Sequence, residues 1–452
     1  MSSTPETCDV VVIGAGVAGL AAAWDLKDRD VVVLESTDRV GGRLMSIPRG
    51  EHWLNLGAHV FAGEDSAVGR LVAETGAHAV DIPGTLTGVS YGGKLVANGR
   101  VETYPFRLPI SWRGKLEFMR AGLKLRRYVA QYAKVVQPLP DETLPERQAR
   151  MLNFMDDESA MDVLGPLSPE VDAFFRCTLT RGTGEPEEIA AGYGLGYFHM
   201  VWDKTGGLAR NIVGGTQTLM DALAAPLGPH MRCGALVTRV VQDATGVTVE
   251  YLQDGESHTL RAKSAVVATQ AFVTREIVEG LPADMLEAMH ELRYGPNVCA
   301  AFLTDEEGPQ RWDDVYAIAT PGRSITMLFN MDNAVRATGA PRAKGTSFMV
   351  YAVANLGKEA LALPDGEVLN RYQHDLEEVL PEVKGHVVER VLRKVDGGLP
   401  FPHVGRGRLQ PALTQPLGRI HLAGDYLGSW YAETAARTGQ AAAASAREQL
   451  DG

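Results

Sequence analysis

The 452-residue sequence predicts an α/β protein in two parts: a parallel sheet assembled from separated stretches of chain, and a second, mixed α+β domain. Three observations predict it. The first is a strand, a glycine-rich turn, a helix and a second strand packed into residues 9–35, which is the βαβ unit of a parallel sheet. The second is the loss of that rhythm after about residue 85 and its return near 205 and near 395. The third is length, since the chain is about three times a typical ~150-residue domain and has room for two. Segments 1–85, 205–280 and 395–452 are therefore assigned to one Rossmann-like layer, and 86–204 and 281–394 to the domain that covers it.

The elements follow in order. Asp9 to Ile13 is an apolar strand, Val17 to Lys27 a helix and Asp30 to Glu35 a second strand. The pattern SAVGRLVAETG reads as a helix ended by Gly76. Between 83 and 205 the chain is punctuated by Pro and Gly and holds a basic segment, Trp112 to Lys134, and the aromatic cluster GYGLGYFHMVW. GGTQTLMDALAAPLG then reads as a loop feeding a helix, followed by strand-like runs at ALVTRVVQD, GVTVEYLQDG and SAVVATQ. Residues 281–394 alternate helical and strand patterns. RIHLAGDYL and the Ala-rich run from Glu433 give a buried strand, a turn and a closing helix.

Composition removes several function classes. Lys plus Arg number 44 against 56 Asp plus Glu, a net charge of −12, and a binder of phosphate backbones needs a basic face instead. Apolar residues at 45% and charged residues at 22% fit a chain that buries a sizeable core. Cys8, Cys177, Cys233 and Cys299 are scattered without a CxxC pair, so neither a metal ribbon nor a disulfide framework is expected. The start MSSTPETCDVVVIGAG lacks a basic n-region, and no apolar run reaches ~20 residues, so the expectation is a cytoplasmic protein without a membrane span. The basic run Trp112 to Arg127 is expected to be a solvated helix face rather than a membrane contact, and no GxSxG, HExxH or paired-carboxylate pattern supports hydrolysis.

The chemistry-bearing motif is Gly14-Ala15-Gly16-Val17-Ala18-Gly19, set directly after a strand and opening a helix. Gly14 permits the tight turn, Gly16 lets the backbone approach a pyrophosphate, and Gly19 lets the helix pack on the strand. Glu35 closes the second strand where an acidic side chain accepts hydrogen bonds from a ribose, and it would repel a 2′-phosphate. Arg39, Gly41, Gly42 and Arg43 in ESTDRVGGRL follow, a loop able to wrap a pyrophosphate while a guanidinium forks onto its oxygens.

The runs VVIGAGVAGLAAAWDL, VVVLESTDRVGGRL and LNLGAHVF, with IHLAGDYLGSWYAETAARTGQAAA near the C-terminus, resemble the two FAD signatures shared by flavin amine oxidases, protoporphyrinogen oxidases and phytoene-type desaturases. The resemblance covers both ends of the chain and, more loosely, Ile212 to Gln270. It implies an FAD-dependent oxidoreductase in which hydride passes from a small-molecule substrate to the flavin and the electrons go on to dioxygen or another acceptor. It implies cofactor contacts at Gly57, in LNLGAHVF, and at Val237, in ALVTRVVQD, besides the residues already named. Gly424 and Asp425 would lie at the sheet's carboxyl edge near the ribityl or pyrophosphate group, and the helix starting near Glu433 would aim its amides at the flavin ring.

On the substrate side the resemblance makes Tyr431 one wall of an aromatic cage, with Trp430 beside it, and places His59 near the flavin. The cluster Tyr193, Tyr197, Phe198, His199 and Trp202 is weighed as cavity lining and, more readily, as core. GGLPFPHVGRGRL has no cysteine where covalently flavinylated amine oxidases carry one, so FAD is expected to be noncovalent. In YGPNVCAAFL, Cys299 takes the place of a lysine found near the flavin of amine oxidases. That departure leans toward protoporphyrinogen oxidase or desaturase chemistry, with simple primary amines as poor substrates. Both C–C desaturation and C–N oxidation to an imine, with release of ammonia and hydrogen peroxide, stay open. So do a flavin reductase, disfavoured because a second Gly-rich nicotinamide turn is missing, and a non-catalytic FAD-binding partner protein.

Overall fold

The computed structural model describes residues 6–202, 208–429 and 431–452, apart from the side chain of Trp202. Strand Glu6–Ile13 pairs in parallel with Val31–Leu34 on one side and with Glu256–Val267 on the other. Val10, Val11 and Val12 are all fully buried, which is why this strand is continuously apolar: a parallel strand is covered on both faces. Met231–Arg232 extends the sheet beyond Val31–Leu34, and Ile420–Leu422 pairs in parallel with Glu256–Val267. Neighbouring strands thus come from both ends and the middle of the chain.

One face of this sheet is covered by helices Val17–Asp25 and Tyr431–Asp451, packed on Val10, Val12, Val33 and Val266. The two helices meet closely because a Cβ at Gly439 would stand 2.1 Å from the Ala18 carbonyl oxygen. The antiparallel strands Leu236–Asp243 and Gly246–Gln253 continue the same sheet from Glu256–Val267, and their Val237, Val240, Val249 and Tyr251 pack with Val11, Ile13 and Val267 in a second apolar cluster.

The second sheet has seven strands, in the order Val387–Pro400, Tyr294–Thr304, Ser347–Val353, Met327–Asn330, Ala317–Ala319, Gly88–Tyr91 and Lys94–Val96. Its pairings are antiparallel except that of Gly88–Tyr91 with Ala317–Ala319. Val298, Phe302, Val350, Tyr372 and Leu376 fill the side under helices Ala354–Ala362 and Asp365–Val379. Cys299, Phe329, Met349 and Tyr351 form the other side, against Trp53, Leu54 and Leu56 of the N-terminal segment. The boundary expected between 394 and 395 falls inside Val387–Pro400, whose register with Tyr294–Thr304 runs through to Pro400.

Between Tyr104 and Trp202 the chain is largely helical, with helices Trp112–Val135, Leu144–Leu152, Pro169–Leu179 and Ala191–Trp202 around Leu125, Phe175, Leu195 and Phe198. The basic segment is one 24-residue helix whose inward face is Gly114, Ala121, Leu125, Val129 and Tyr132. Its outward face is less polar than expected, since Trp112 and Leu123 are 68% and 70% exposed among the basic side chains. Among the described residues no helix is long and apolar enough to cross a membrane, and no group of three His, Cys, Asp or Glu side chains is placed to hold a metal ion.

Candidate active site

The parallel strands end together at Ile13, Leu34, Val267 and Leu422, and in such sheets ligands bind in the crevice outside those ends. Gly14 turns the chain there with φ +96°, a conformation that L side chains disfavour. A Cβ at Gly19 would lie 1.8 Å from the Gly14 carbonyl oxygen, so this glycine is what allows helix Val17–Asp25 to seat on the turn. Gly16 differs from both. A Cβ built on it meets nothing within 4 Å, and no side chain caps the helix that it opens. Open space at an uncapped helix N-terminus, with amides directed into it, fits the pyrophosphate of a dinucleotide.

Glu35 is buried at the end of the second strand. Its Oε2 accepts from the Ala15 amide at 2.8 Å, and its Oε1 accepts from the Thr37 amide and hydroxyl at 2.9 and 2.8 Å. The carboxylate therefore ties the first turn to the second. Gly42, with φ +53°, lies over the helix start, 3.3 Å separating its would-be Cβ from the Gly16 Cα.

Arg43 forks onto the buried Asp425 at 2.7 and 2.9 Å and also donates to the Gly398 carbonyl at 3.1 Å. Burial alone would pull the Arg43 pKa down; the Asp425 carboxylate more than offsets this and holds it above its usual value. Gly57 lets the strand His52–Asn55 exit against this loop, a Cβ there falling 2.1 Å from the Arg43 carbonyl oxygen. Val237 is buried under the sheet, and the Gly424 amide donates to Thr438 Oγ1 at 2.9 Å.

Two of the expected cofactor contacts, Arg39 and Glu433, have partners within the chain. The guanidinium of Arg39 donates to the carbonyls of Val40, Gly42 and Leu44, so it is occupied in closing its own loop. The carboxylate of Glu433 accepts from the Ala67 and Val68 amides at 2.9 and 3.2 Å, capping helix Ala67–Thr75 from outside, and pairs with Arg437. An acidic group at a helix N-terminus is favoured there by the orphan amides and the dipole.

His59 Nδ1 bonds to the Gly57 carbonyl at 3.0 Å, and its ring stands edge-on to Phe329 at 4.6 Å. Burial lowers its pKa to about 4, so the imidazole is neutral at pH 7 with Nδ1–H donating. Protonation then favours the unfolded chain, whose histidine titrates near 6.5. Stability is full above that value and falls as the pH drops toward 4. Between pH 7.5 and 5 the wild type is expected to lose about 2 kcal/mol more than His59→Gln, measured by urea unfolding at both pH values.

Cys299 lies on the strand Tyr294–Thr304, between Tyr351 and Arg393 on the flanking strands. Burial pushes its thiol up to about 12, so it presents no charge at neutral pH. Tyr431 begins the closing helix at φ +37°, with its hydroxyl donating to the Arg181 carbonyl at 3.3 Å and its ring edge-on to Tyr197 at 6.4 Å. Trp430 lies outside the described residues.

With this geometry in place, comparison with known proteins decides the family. The family model described as flavin containing amine oxidoreductase matches residues 17–446. The chain belongs to that family. As a flavin-containing amine oxidoreductase it is 28% identical over 259 residues to the protein of Mycobacterium tuberculosis named flavin-containing monoamine oxidase AofH, a match spanning 55% of each chain. It is 24% identical to amine oxidase B of Canis lupus familiaris, covering 96% of this chain and 85% of the other. Its fold is that of cyclohexylamine oxidase from Brevibacterium oxydans (TM-score 0.77, 19% identity, 98% and 100% of the chains) and of putrescine oxidase bound to putrescine (TM-score 0.76, 19% identity, 98% and 99%).

Several residues of this flavin-containing amine oxidoreductase carry no local signal in the sequence. Arg393 donates to the carbonyls of Leu56 and Gly42 at 2.9 and 2.8 Å, joining the second sheet to the GGR loop. Thr37 holds Glu35. Arg181, Phe329 and Tyr351 meet from three distant stretches beside Tyr431. Only the Thr at the Glu35 turn was accessible to a turn-chemistry argument, through the habit of Thr to bond neighbouring backbone and carboxylate groups.

Proposed function

We propose that this chain oxidises a C–N bond of a small amine, with FAD held noncovalently. The observation that carries the reading is Tyr431: an unusual left-handed tyrosine set at the start of the helix that follows Asp425, with Tyr197 beside it. Non-glycine residues in that region cost of order 1–3 kcal/mol and cluster at functional sites. When bound, FAD supplies the acceptor for a hydride from the substrate carbon and passes the electrons to dioxygen or another acceptor.

The chain supplies binding, orientation and exclusion of water. Gly14, Gly16 and Gly19 shape the pyrophosphate cradle, and Glu35 meets the ribose. Arg43, fixed by Asp425, brings positive charge to the crevice, while Gly42, Gly57, Val237 and Gly424 let the backbone close around the cofactor. Tyr431 and Tyr197 orient the substrate by their faces. His59, neutral and with Nε2 lacking a hydrogen-bond partner among the described residues, is an acceptor available to a substrate N–H. Between C–N and C–C oxidation, the relatives favour C–N, since those named above are all amine oxidases.

The deciding experiment is anaerobic bleaching of the bound flavin across amines, amino acids, porphyrinogens and polyenes. Bleaching by an amine, with ammonia or a shortened amine on turnover in air, is the expected result. Bleaching by a porphyrinogen or polyene and by no amine overturns it. Acid or heat is expected to release intact FAD, and flavin retained on the denatured chain would refute the noncovalent assignment. Tyr431→Ala is expected to keep FAD and lower kcat/KM by roughly two- to thirtyfold, the range of a lost ring–amine contact of ~0.5–2 kcal/mol. An unchanged kcat/KM would reduce this ring to packing.

A further inference from the structure

Arg181 sits in the turn Thr180–Gly182, directly after helix Pro169–Leu179, and no motif marks it. Its Nε donates to Tyr351 Oη at 3.2 Å, and Tyr197 is a second hydrogen-bonding neighbour of the guanidinium. Otherwise it lies against rings, 4.8 Å from the centroid of Tyr197 and 5.9 Å from that of Phe329. Among the described residues no carboxylate pairs with it. Five residues earlier Arg176 holds Asp172, Glu185 and Glu187, so acidic partners are abundant nearby and simply do not reach Arg181.

The surroundings make that isolation significant. Tyr197, Phe329 and Tyr351 are themselves buried, whereas Arg181 keeps intermediate exposure. Arg181 therefore keeps some accessible surface in the midst of buried rings. A cation taken out of bulk water costs several kcal/mol unless an anion meets it. The same cluster adjoins the cofactor loops on two sides. Tyr431 donates to the Arg181 carbonyl, and Phe329 touches His59, which is held to Gly57 beside Arg43.

We propose that Arg181 anchors a carboxylate on the substrate, so that the amine oxidised here is an amino acid or another carboxylated amine. The guanidinium fork takes the carboxylate through its terminal nitrogens, and the rings of Tyr197 and Phe329 take the apolar part. This inference rests on the C–N reading for what happens to the amine, but the anchoring itself is measurable without turnover.

The test titrates the FAD-loaded protein with 3-phenylpropionate and with 3-phenylpropanol, its uncharged counterpart, reading the perturbation of the flavin spectrum and the heat of binding. The carboxylate is expected to bind at least about tenfold more tightly than the alcohol, as for a hydrogen bond to a charged group. Arg181→Gln is expected to abolish that preference. Arg181→Lys keeps part of it, since the charge remains and the fork is lost. Equal binding of the two ligands by the wild type, or a preference that survives in Arg181→Gln, overturns the proposal. The wild-type comparison decides even where a variant fails to fold. Phenylethylamine and phenylalanine are compared in parallel by anaerobic bleaching. If neither they nor any amine bleaches the flavin, the C–N reading fails while the titration still decides Arg181. If phenylethylamine bleaches the wild type as fast as phenylalanine does, and Arg181→Gln changes neither rate, the anchor fails and the C–N reading stands.

Discussion

Gly16→Val is expected to yield a folded protein that carries no flavin. The two halves of that expectation come from different facts. Folding survives because the space around a Cβ at Gly16 is empty to 4 Å, and because its backbone, φ −74° and ψ −176°, is extended and suits a β-branched residue. Flavin is lost because the new methyl groups occupy the space that the pyrophosphate needs at the helix N-terminus. A hydrogen bond to a charged group is worth about 1.5–3 kcal/mol, so losing two amide contacts to phosphate weakens binding by roughly a hundredfold or more. Gly19→Ala is the contrasting variant. Its Cβ would overlap the Gly14 carbonyl oxygen at 1.8 Å, so its failure would be one of folding. Circular dichroism with the flavin-to-protein ratio separates the two. A folded Gly16→Val with full FAD would remove the pyrophosphate assignment.

That contrast also shows what was legible in the sequence. Strand, turn and helix at residues 6–25 follow from local rules, because an apolar run before GxGxxG has one economical packing, and Glu35 falls at the end of the second strand by βαβ geometry. GYGLGYFHMVW did not read as a helix, since three of its residues, Gly192, Gly194 and Gly196, are glycine and glycine disfavours one. Two of those glycines answer to distant neighbours: a Cβ at Gly192 would lie 1.7 Å from the Phe154 carbonyl oxygen, and one at Gly194 3.0 Å from Ala160 and Leu179. The partners of Glu433 were hidden for a similar reason. Its place at a helix start is local, but the amides that it serves belong to Ala67 and Val68. The cluster at Arg181 was least legible, because its rings come from positions 197, 329, 351 and 431, which only tertiary packing brings together.

Asp425→Ala is expected to destabilise the protein by about 3 kcal/mol, the lower end of what breaking a buried ion pair costs. The lower end applies because the Arg43 side chain keeps 30% of its surface, against 5% for Asp425, so water can partly serve the stranded guanidinium. The pair links residues 382 positions apart, and Arg43 also donates to Gly398, so one side chain fastens the GGR loop to the last strand of each sheet's chain segment. Asp425→Asn keeps the shape and one acceptor and is expected to cost about half as much. Arg43→Met with Asp425→Ala completes a double-mutant cycle, read by urea unfolding of the apo and FAD-loaded proteins. Because each single change strands a partner that the double change removes, the two costs should fall short of adding by 1 kcal/mol or more. The loaded protein carries a second signature. With Asp425 gone, Arg43 is released toward the crevice, so the loss of FAD affinity in Asp425→Ala should be smaller than in Arg43→Met. Additive costs, or equal losses of FAD in the two single variants, would show that Asp425 does not position Arg43.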